Sequence, residues 1–314
     1  MSSRRRLLNN PLGTGVAFAA HGAQSAGAQN LQGKPVRKRV VVDSQVHLWD
    51  ANSPERPWVP GITPQLPEPF TVEKLLPMMD ESGVDRAIIV PPSWVGDRLD
   101  EALEAARRYP NRFAVMGRIP LKVPQTADDL ARWKAQPGLL GIRLTFLGGT
   151  AAALTDGTAD WLWPAAEKAG IPIMFLTAAT LPLFEPIAER HPELTLIIDH
   201  MGLSTQVVKE QKVPLAIDQA VALAKYPNVS VKVSAAPAYS TQPFPFSDMN
   251  TYIERLFDAY GPKRCYWGTD VTNGFAQASY RERLVHFTEE LKFLSDEDKD
   301  WIMGRAILAR LGWA

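Results

Sequence analysis

Cysteine is almost absent from this chain: Cys265 is the single one in 314 residues. One thiol excludes an internal disulfide framework and any zinc site built from several cysteines. An excess of either charge is lacking too, because 34 Lys and Arg stand against 34 Asp and Glu. Without a cationic surplus there is no electrostatic footprint for nucleic acid or an anionic membrane surface. No stretch approaches the roughly 18–20 uninterrupted apolar residues of a spanning helix, so neither nucleic acid nor membrane is an expected partner. Histidine is scarce at five residues, which makes the place of each one informative. What is abundant is apolar residues, at 46%, and proline, at 26 residues. The first suffices for a large buried core.

Residues 1–38 read differently from the rest. Ser3-Arg4-Arg5-Arg6-Leu7-Leu8 is a twin-arginine-like start, a weakly apolar stretch follows through Ala20, and Ala26-Gly27-Ala28 is a small-x-small cleavage motif. That order is the order of an export signal. It predicts a flexible leader over 1–38, a periplasmic mature protein and a domain over 39–314. A disordered basic tail on a cytoplasmic protein is the alternative.

Beyond residue 38, short aliphatic and β-branched runs recur at 39–46, 86–91, 112–119, 139–144, 171–176, 194–199, 228–233 and 264–268. Continuous apolar runs of this length suit strands buried on both faces. Amphipathic stretches lie between them, at 99–109, 126–135, 161–169, 181–191, 214–225 and 250–260. Several joins carry Gly or Pro just before the next strand, as in Ala169-Gly170-Ile171-Pro172 and Tyr260-Gly261-Pro262. Eight strand-then-helix repeats in about 250 residues predict an α/β fold, a single-domain (β/α)8 TIM barrel. A doubly wound sheet would need a glycine-rich phosphate turn after its first strand. Val46 instead runs into His47-Leu48-Trp49-Asp50.

In such a barrel the chemistry lies just past the C-terminal ends of the strands. Those positions hold Gln45 and His47, two apart and so on one face; Arg118; Gly141-Ile142-Arg143; Leu176-Thr177; Asp199-His200-Met201-Gly202; Lys232-Val233-Ser234; and Gly268-Thr269-Asp270. Taken in order, with Asp43 before His47-Leu48-Trp49 and with Leu294-Ser295-Asp296 leading to Ile302-Met303-Gly304-Arg305-Ala306, they resemble the amidohydrolase superfamily. The likeness spans residue 39 to the C-terminus. It is to the amidohydrolase-related branch of lactonases, dicarboxylate-lactone hydrolases and decarboxylases, whose barrels are metal-dependent-hydrolase-like.

Departures from the family pattern matter as much as matches. The resemblance implies, in metal-binding members, His-x-His on strand one, a histidine after strand five and an aspartate on strand eight. Here Gln45 takes the first place, and the strand-five position falls among Leu176, Thr177 and Ala178. Amide and aliphatic groups are poor substitutes for imidazole at zinc. No cofactor is therefore expected. His47, His200 and Asp270 are the residues that would hold a divalent metal such as zinc, the alternative that stays open.

The resemblance then implies a metal-independent hydrolysis of a small carboxylated cyclic ester of the lactone type. Asp270 would be the base that activates water, and His47 and His200 would polarise the carbonyl. Arg143, with Arg118 as a second, would clamp a substrate carboxylate through parallel hydrogen bonds, and Gln45 would touch substrate or water. Structural roles compete at several positions: a turn cap for His200, a helix cap for Asp270, an ion pair for Arg143 and a purely structural place for Arg118. His191, His286 and Cys265 read as structural. Two other functions stay open, a carboxy-lyase acting on an aromatic or unsaturated acid and a barrel that binds without catalysis.

The prolines concentrate in three loops that also carry aromatics, around Pro54–Pro69, Pro91-Pro92-Ser93-Trp94 and Ala236-Pro237-Ala238-Tyr239 through Phe246. Proline stiffens such loops and rings supply flat walls. They are expected to roof the site, with Trp94 and Tyr239 against the substrate. Aromatic-rich loops also occur at oligomer contacts, which leaves a homo-oligomer open.

Overall fold

The computed structural model describes residues 39–177 and 180–314. The leader expected over 1–38 lies outside them, as does Ala178. All eight strands form: β1 (Val42–Val46), β2 (Arg86–Ile89), β3 (Phe113–Gly117), β4 (Leu139–Phe146), β5 (Ile173–Thr177), β6 (Leu196–Ile198), β7 (Val229–Ser234) and β8 (Cys265–Gly268). Each pairs in parallel with the next, in the order β1 to β8. Helices cross between successive strands, including Val72–Ser82, Asp100–Arg108, Ala127–Lys134, Leu162–Lys168 and Asn250–Tyr260. The fold is a single-domain (β/α)8 barrel. No helix among the described residues is long and apolar enough to cross a membrane.

Two apolar layers hold it together. Outward side chains of the strands pack on the helices, as Val231, Val233 and Trp267 do. Inward ones make an apolar floor from Val42, Ile88, Met116, Met174, Ile197 and Tyr266, and the C-terminal helix Ala306–Leu311 closes the bottom against it through Ala306, Ile307 and Leu311. Buried parallel strands read as unbroken apolar runs for this reason, since both faces are covered.

The seam between β8 and β1 is closed mainly by a side chain. Asp43, fully buried on β1, accepts backbone N–H bonds from Thr269 (2.8 Å) and Gln45 (3.0 Å) and a hydroxyl bond from Tyr280 (2.6 Å), with the Thr269 hydroxyl as a further donor. Burial pushes its carboxyl up, and these bonds oppose the rise. One backbone bond, from Asp270 N–H to the Gln45 carbonyl at 3.0 Å, completes the closure and sets Asp270 beside the end of β1. Gly268 allows this approach: a Cβ there would lie 2.5 Å from Ser44 Oγ and 3.3 Å from Asp43 Oδ1.

Overpacking of this kind typically costs about 1–3 kcal/mol. Gly268→Ala is therefore expected to lower the urea unfolding midpoint, and adding Ser44→Ala, which removes the closest atom, to recover part of the loss. Equal midpoints for wild type and Gly268→Ala would show that the seam does not need the glycine.

Candidate active site

A cavity of about 580 Å³ opens at the C-terminal ends of the strands. Of the residues singled out from sequence, His47, Trp94, Arg143, His200, Tyr239 and Asp270 line it. Gln45 and Arg118 do not. All three proline-rich loops reach it, through Gln65, through Pro92, Ser93 and Trp94, and through Tyr239. The first loop is pinned at its ends by a two-way backbone pair between Trp49 and Phe70 and in its middle by Val59 N–H to the Trp94 carbonyl, 2.7 Å.

Asp270 and His200 sit at the reacting end, both buried and both in left-handed backbone, with φ of 46° and 51°. Non-glycine residues are rare there and carry local strain. Asp270 is held from behind: Arg283, buried under the loop, donates to the carbonyls of Thr269 (3.0 Å), Asn273 (3.2 Å) and Gly274 (2.6 Å). Asn273 in turn donates to Asp270 Oδ2 at 3.1 Å. Asp270 Oδ1 lies 3.1 Å from His47 Nε2, out of line for a hydrogen bond, and has no hydrogen-bond partner among the described residues. Burial would raise the Asp270 carboxyl, but His200, His47 and Asn273 outweigh it and hold the group well below the usual carboxylate range. It is thus a buried, ionised carboxylate with one bare oxygen.

His47 Nδ1 is 2.7 Å from the Val90 carbonyl. A carbonyl only accepts, so Nδ1 carries the hydrogen and Nε2 faces Asp270. His200 Nε2 lies 3.6 Å from Asp270 Oδ2. Its own partners are the Gln45 amide nitrogen at Nε2, 3.0 Å, and the Ser234 hydroxyl at Nδ1, 2.8 Å. Burial draws His200 down to about 4, so the ring is neutral at physiological pH.

Beneath these groups is a plane of buried charge. Lys232 and Asp199 are both fully inaccessible and 2.8 Å apart. Lys232 also donates to Gln45 Oε1 at 2.6 Å. Arg143 donates through Nε to the other Asp199 oxygen at 2.9 Å and through Nη1 to Thr145 at 2.7 Å. Burial would raise Asp199, yet Lys232 and Arg143 keep it far below the usual range.

Four expectations change. Gln45 is a strut between Lys232 and His200 and does not face the cavity, because both ends of its amide are taken. Arg118 stands behind Thr145 (3.4 Å) and 3.8 Å from Asp97, outside the cavity, and burial lowers it to about 10. Arg143 lines the cavity, but its Nε is tied to Asp199 and one Nη1 hydrogen to Thr145, which removes the side-on Nε and Nη2 clamp; Nη2 is the nitrogen without a partner among the described residues. His200 accepts at Nε2 and so does not present a donor to a carbonyl there. Asp199, Lys232, Ser234, Asn273 and Arg283 were not singled out for this chemistry. A signal for Lys232 and Ser234 was present: in Val229–Ser234 every second residue, Ser230, Lys232 and Ser234, is polar, and alternation of period two marks one face of a strand.

The donor set also decides how the site suits a metal. His47 Nε2 and the bare Asp270 Oδ1 converge, but the lone pair of His200 Nε2 is filled by the Gln45 amide, and the strand-five position shows Leu176 on the cavity wall. Two free donors fall short of the three protein ligands of a catalytic zinc. The residues do not fit one.

Comparison with known proteins agrees with this architecture. The amidohydrolase family model matches residues 42–309. The chain is 26% identical over 248 residues to L-fucono-1,5-lactonase of Burkholderia ambifaria, covering 73% of this chain and 79% of that protein. It is 26% identical over 211 residues to 4-sulfomuconolactone hydrolase of Hydrogenophaga intermedia, covering 63% and 64%. A crystal structure of an amidohydrolase from Burkholderia multivorans with bound zinc superposes with a TM-score of 0.73 at 21% identity, over 87% of this chain and 99% of that one. The match runs from β1 into the C-terminal helix and takes in His47, His200 and Asp270, and the chain is a hydrolase of the amidohydrolase family.

Proposed function

We propose that this chain hydrolyses a small lactone by water attack, with Asp270 as base and without a resident divalent metal. The observation that carries the reading is the bare Asp270 Oδ1, buried, ionised and open to the cavity beside His47 Nε2. Curated relatives named as lactonases support the substrate class.

Asp270 Oδ1 accepts a proton from water as the water oxygen bonds to the lactone carbonyl carbon. His47 Nε2, next to that oxygen, is placed to receive the proton and return it to the ring oxygen when the acyl C–O bond breaks. Charge bookkeeping around the site favours this step. Lys232 and Arg143 carry two positive charges against Asp199, and Asp270 balances the remainder. Once Asp270 takes a proton, that surplus faces the new oxyanion. Arg143 Nη2 is the donor available to it, a kind of contact worth a few kcal/mol in water-excluded sites.

The lining bears on the substrate. Gln65, Ser93, Ser204, Thr205 and Gln206 contribute neutral amides and hydroxyls, while Arg143 is already paired with Asp199. This suits a ring bearing hydroxyl groups, with a single anionic substituent at most, better than a dicarboxylate. Trp94 and Tyr239 supply apolar walls. The leader motif supports export to the periplasm.

Three outcomes are expected. Asp270→Asn should lower kcat on a responsive lactone by roughly 10²–10⁴-fold with KM little changed, followed by acid release in a weakly buffered indicator assay; full activity would remove Asp270 as base. Dialysis against a chelator should leave activity intact and elemental analysis should find no stoichiometric zinc or manganese, whereas activity restored only by added metal would defeat the metal-free step. A ¹⁵N NMR titration should find the His200 ring neutral down to about pH 4, and protonation of that ring near 6.5 would contradict its burial as a neutral group. Stability follows the same sign. The unfolded chain binds protons below about 6.5 that folded His200 refuses until about 4, so stability is full above that window and falls as pH drops through it.

A further inference from the structure

We propose that Lys232 and Gln45 are positioning residues that fix the tautomer of His200 and so keep Asp270 free to act as a base. The inference rests on the hydrolytic role assigned to Asp270. Its ground is a chain of four buried groups in which chemistry dictates each direction. Lys232 has no acceptor, so the Gln45 atom 2.6 Å from it is the amide oxygen. The amide nitrogen is thereby turned to His200 Nε2 at 3.0 Å, and because it only donates, Nε2 accepts. The ring hydrogen is left on Nδ1, directed at Ser234 Oγ, 2.8 Å away. Asp199, 2.8 Å from Lys232, anchors the ammonium at the start of the chain.

The consequence appears at Asp270. His200 Nε2 is 3.6 Å from Asp270 Oδ2. Were the hydrogen on Nε2, a small ring movement would let it donate to that carboxylate, which already accepts from Asn273. A carboxylate bearing another donor is a weaker base. With Nε2 capped by Gln45, His200 presents no hydrogen to Asp270. Lys232 touches neither the cavity nor any reacting atom, yet it sets the direction of every bond up to the base.

The test is a two-bond ¹H–¹⁵N correlation spectrum of the histidine rings in the full chain at neutral pH, with His200 assigned by its absence in His200→Asn. The expected wild-type pattern has Nδ1 protonated and Nε2 bare. Ser234→Ala should keep that pattern, because Gln45 still occupies Nε2. Gln45→Glu, of equal size and able to accept from Lys232, should move a proton onto Nε2, where the new carboxylate holds it; Gln45→Met, which leaves Nε2 uncapped, should let that proton reach Asp270 and lower kcat by about ten-fold or more while KM stays within about two-fold. A proton on wild-type Nε2, a tautomer change in Ser234→Ala, a bare Nε2 in Gln45→Glu or Gln45→Met, or unchanged kcat in Gln45→Met would each overturn the proposal. Should Gln45→Glu fail to fold, the wild-type and Ser234→Ala spectra decide the tautomer alone. The spectra need no substrate, so failure to hydrolyse any lactone would defeat the function proposed above without touching this result.

Discussion

A lysine buried completely in the middle of a β-barrel is costly unless its charge is matched and its hydrogens are accepted. Asp199 matches the charge of Lys232 at 2.8 Å and Gln45 Oε1 accepts one of its hydrogens, and the upper half of the barrel is arranged around it. Asp199 takes Lys232 on one oxygen and Arg143 on the other. That pairing aims the arginine across the cavity floor instead of into solvent. Gln45 carries the order from Lys232 to His200, and the carbonyl of the same residue receives the Asp270 N–H. One strand-end residue thus links the buried charge to both the imidazole and the carboxylate of the site.

The site depends equally on how the barrel closes. β8 meets β1 through the Asp43 carboxylate and a glycine, in place of a regular ladder. A closure of this kind leaves the residues just beyond β8 free to take unusual backbone, and Asp270 does so at φ 46° with Arg283 bracing its loop. Regular strand pairing carried one residue further would hold Asp270 in extended backbone. The seam that gives the fold its ring shape is in this sense what turns the carboxylate toward the cavity.

How much of this could be read from the chain alone follows from what a linear pattern records. Eight apolar runs bounded by Gly and Pro were legible because parallel strands covered on both faces leave that trace. His47, His200 and Asp270 stood out because strand ends are where a barrel keeps its chemistry, and they do line one cavity. The positions of Gln45 and Arg118 were legible, but their partners were not. Gln45 looked like a vacated ligand position, and only its contacts with Lys232 and His200 show it as a strut. Arg143 was open to two readings, and its acidic partner proved to be Asp199 inside the barrel. Pairings between strands are three-dimensional facts that strand order alone does not supply. The polar alternation in Val229–Ser234 was the one local trace of the buried charge plane, and the left-handed backbone at His200 and Asp270 left none.

In the proposed reaction His47, His200 and Asp270 act as acceptors around water and not as a metal centre. Anomalous diffraction at the zinc edge, from crystals of the full chain grown with excess zinc, tests this at the atoms concerned. No anomalous peak is expected among these three residues, with the Gln45 amide still on His200 Nε2. A strong peak bonded to His47, His200 and Asp270, with Gln45 swung away, would overturn the metal-free reading.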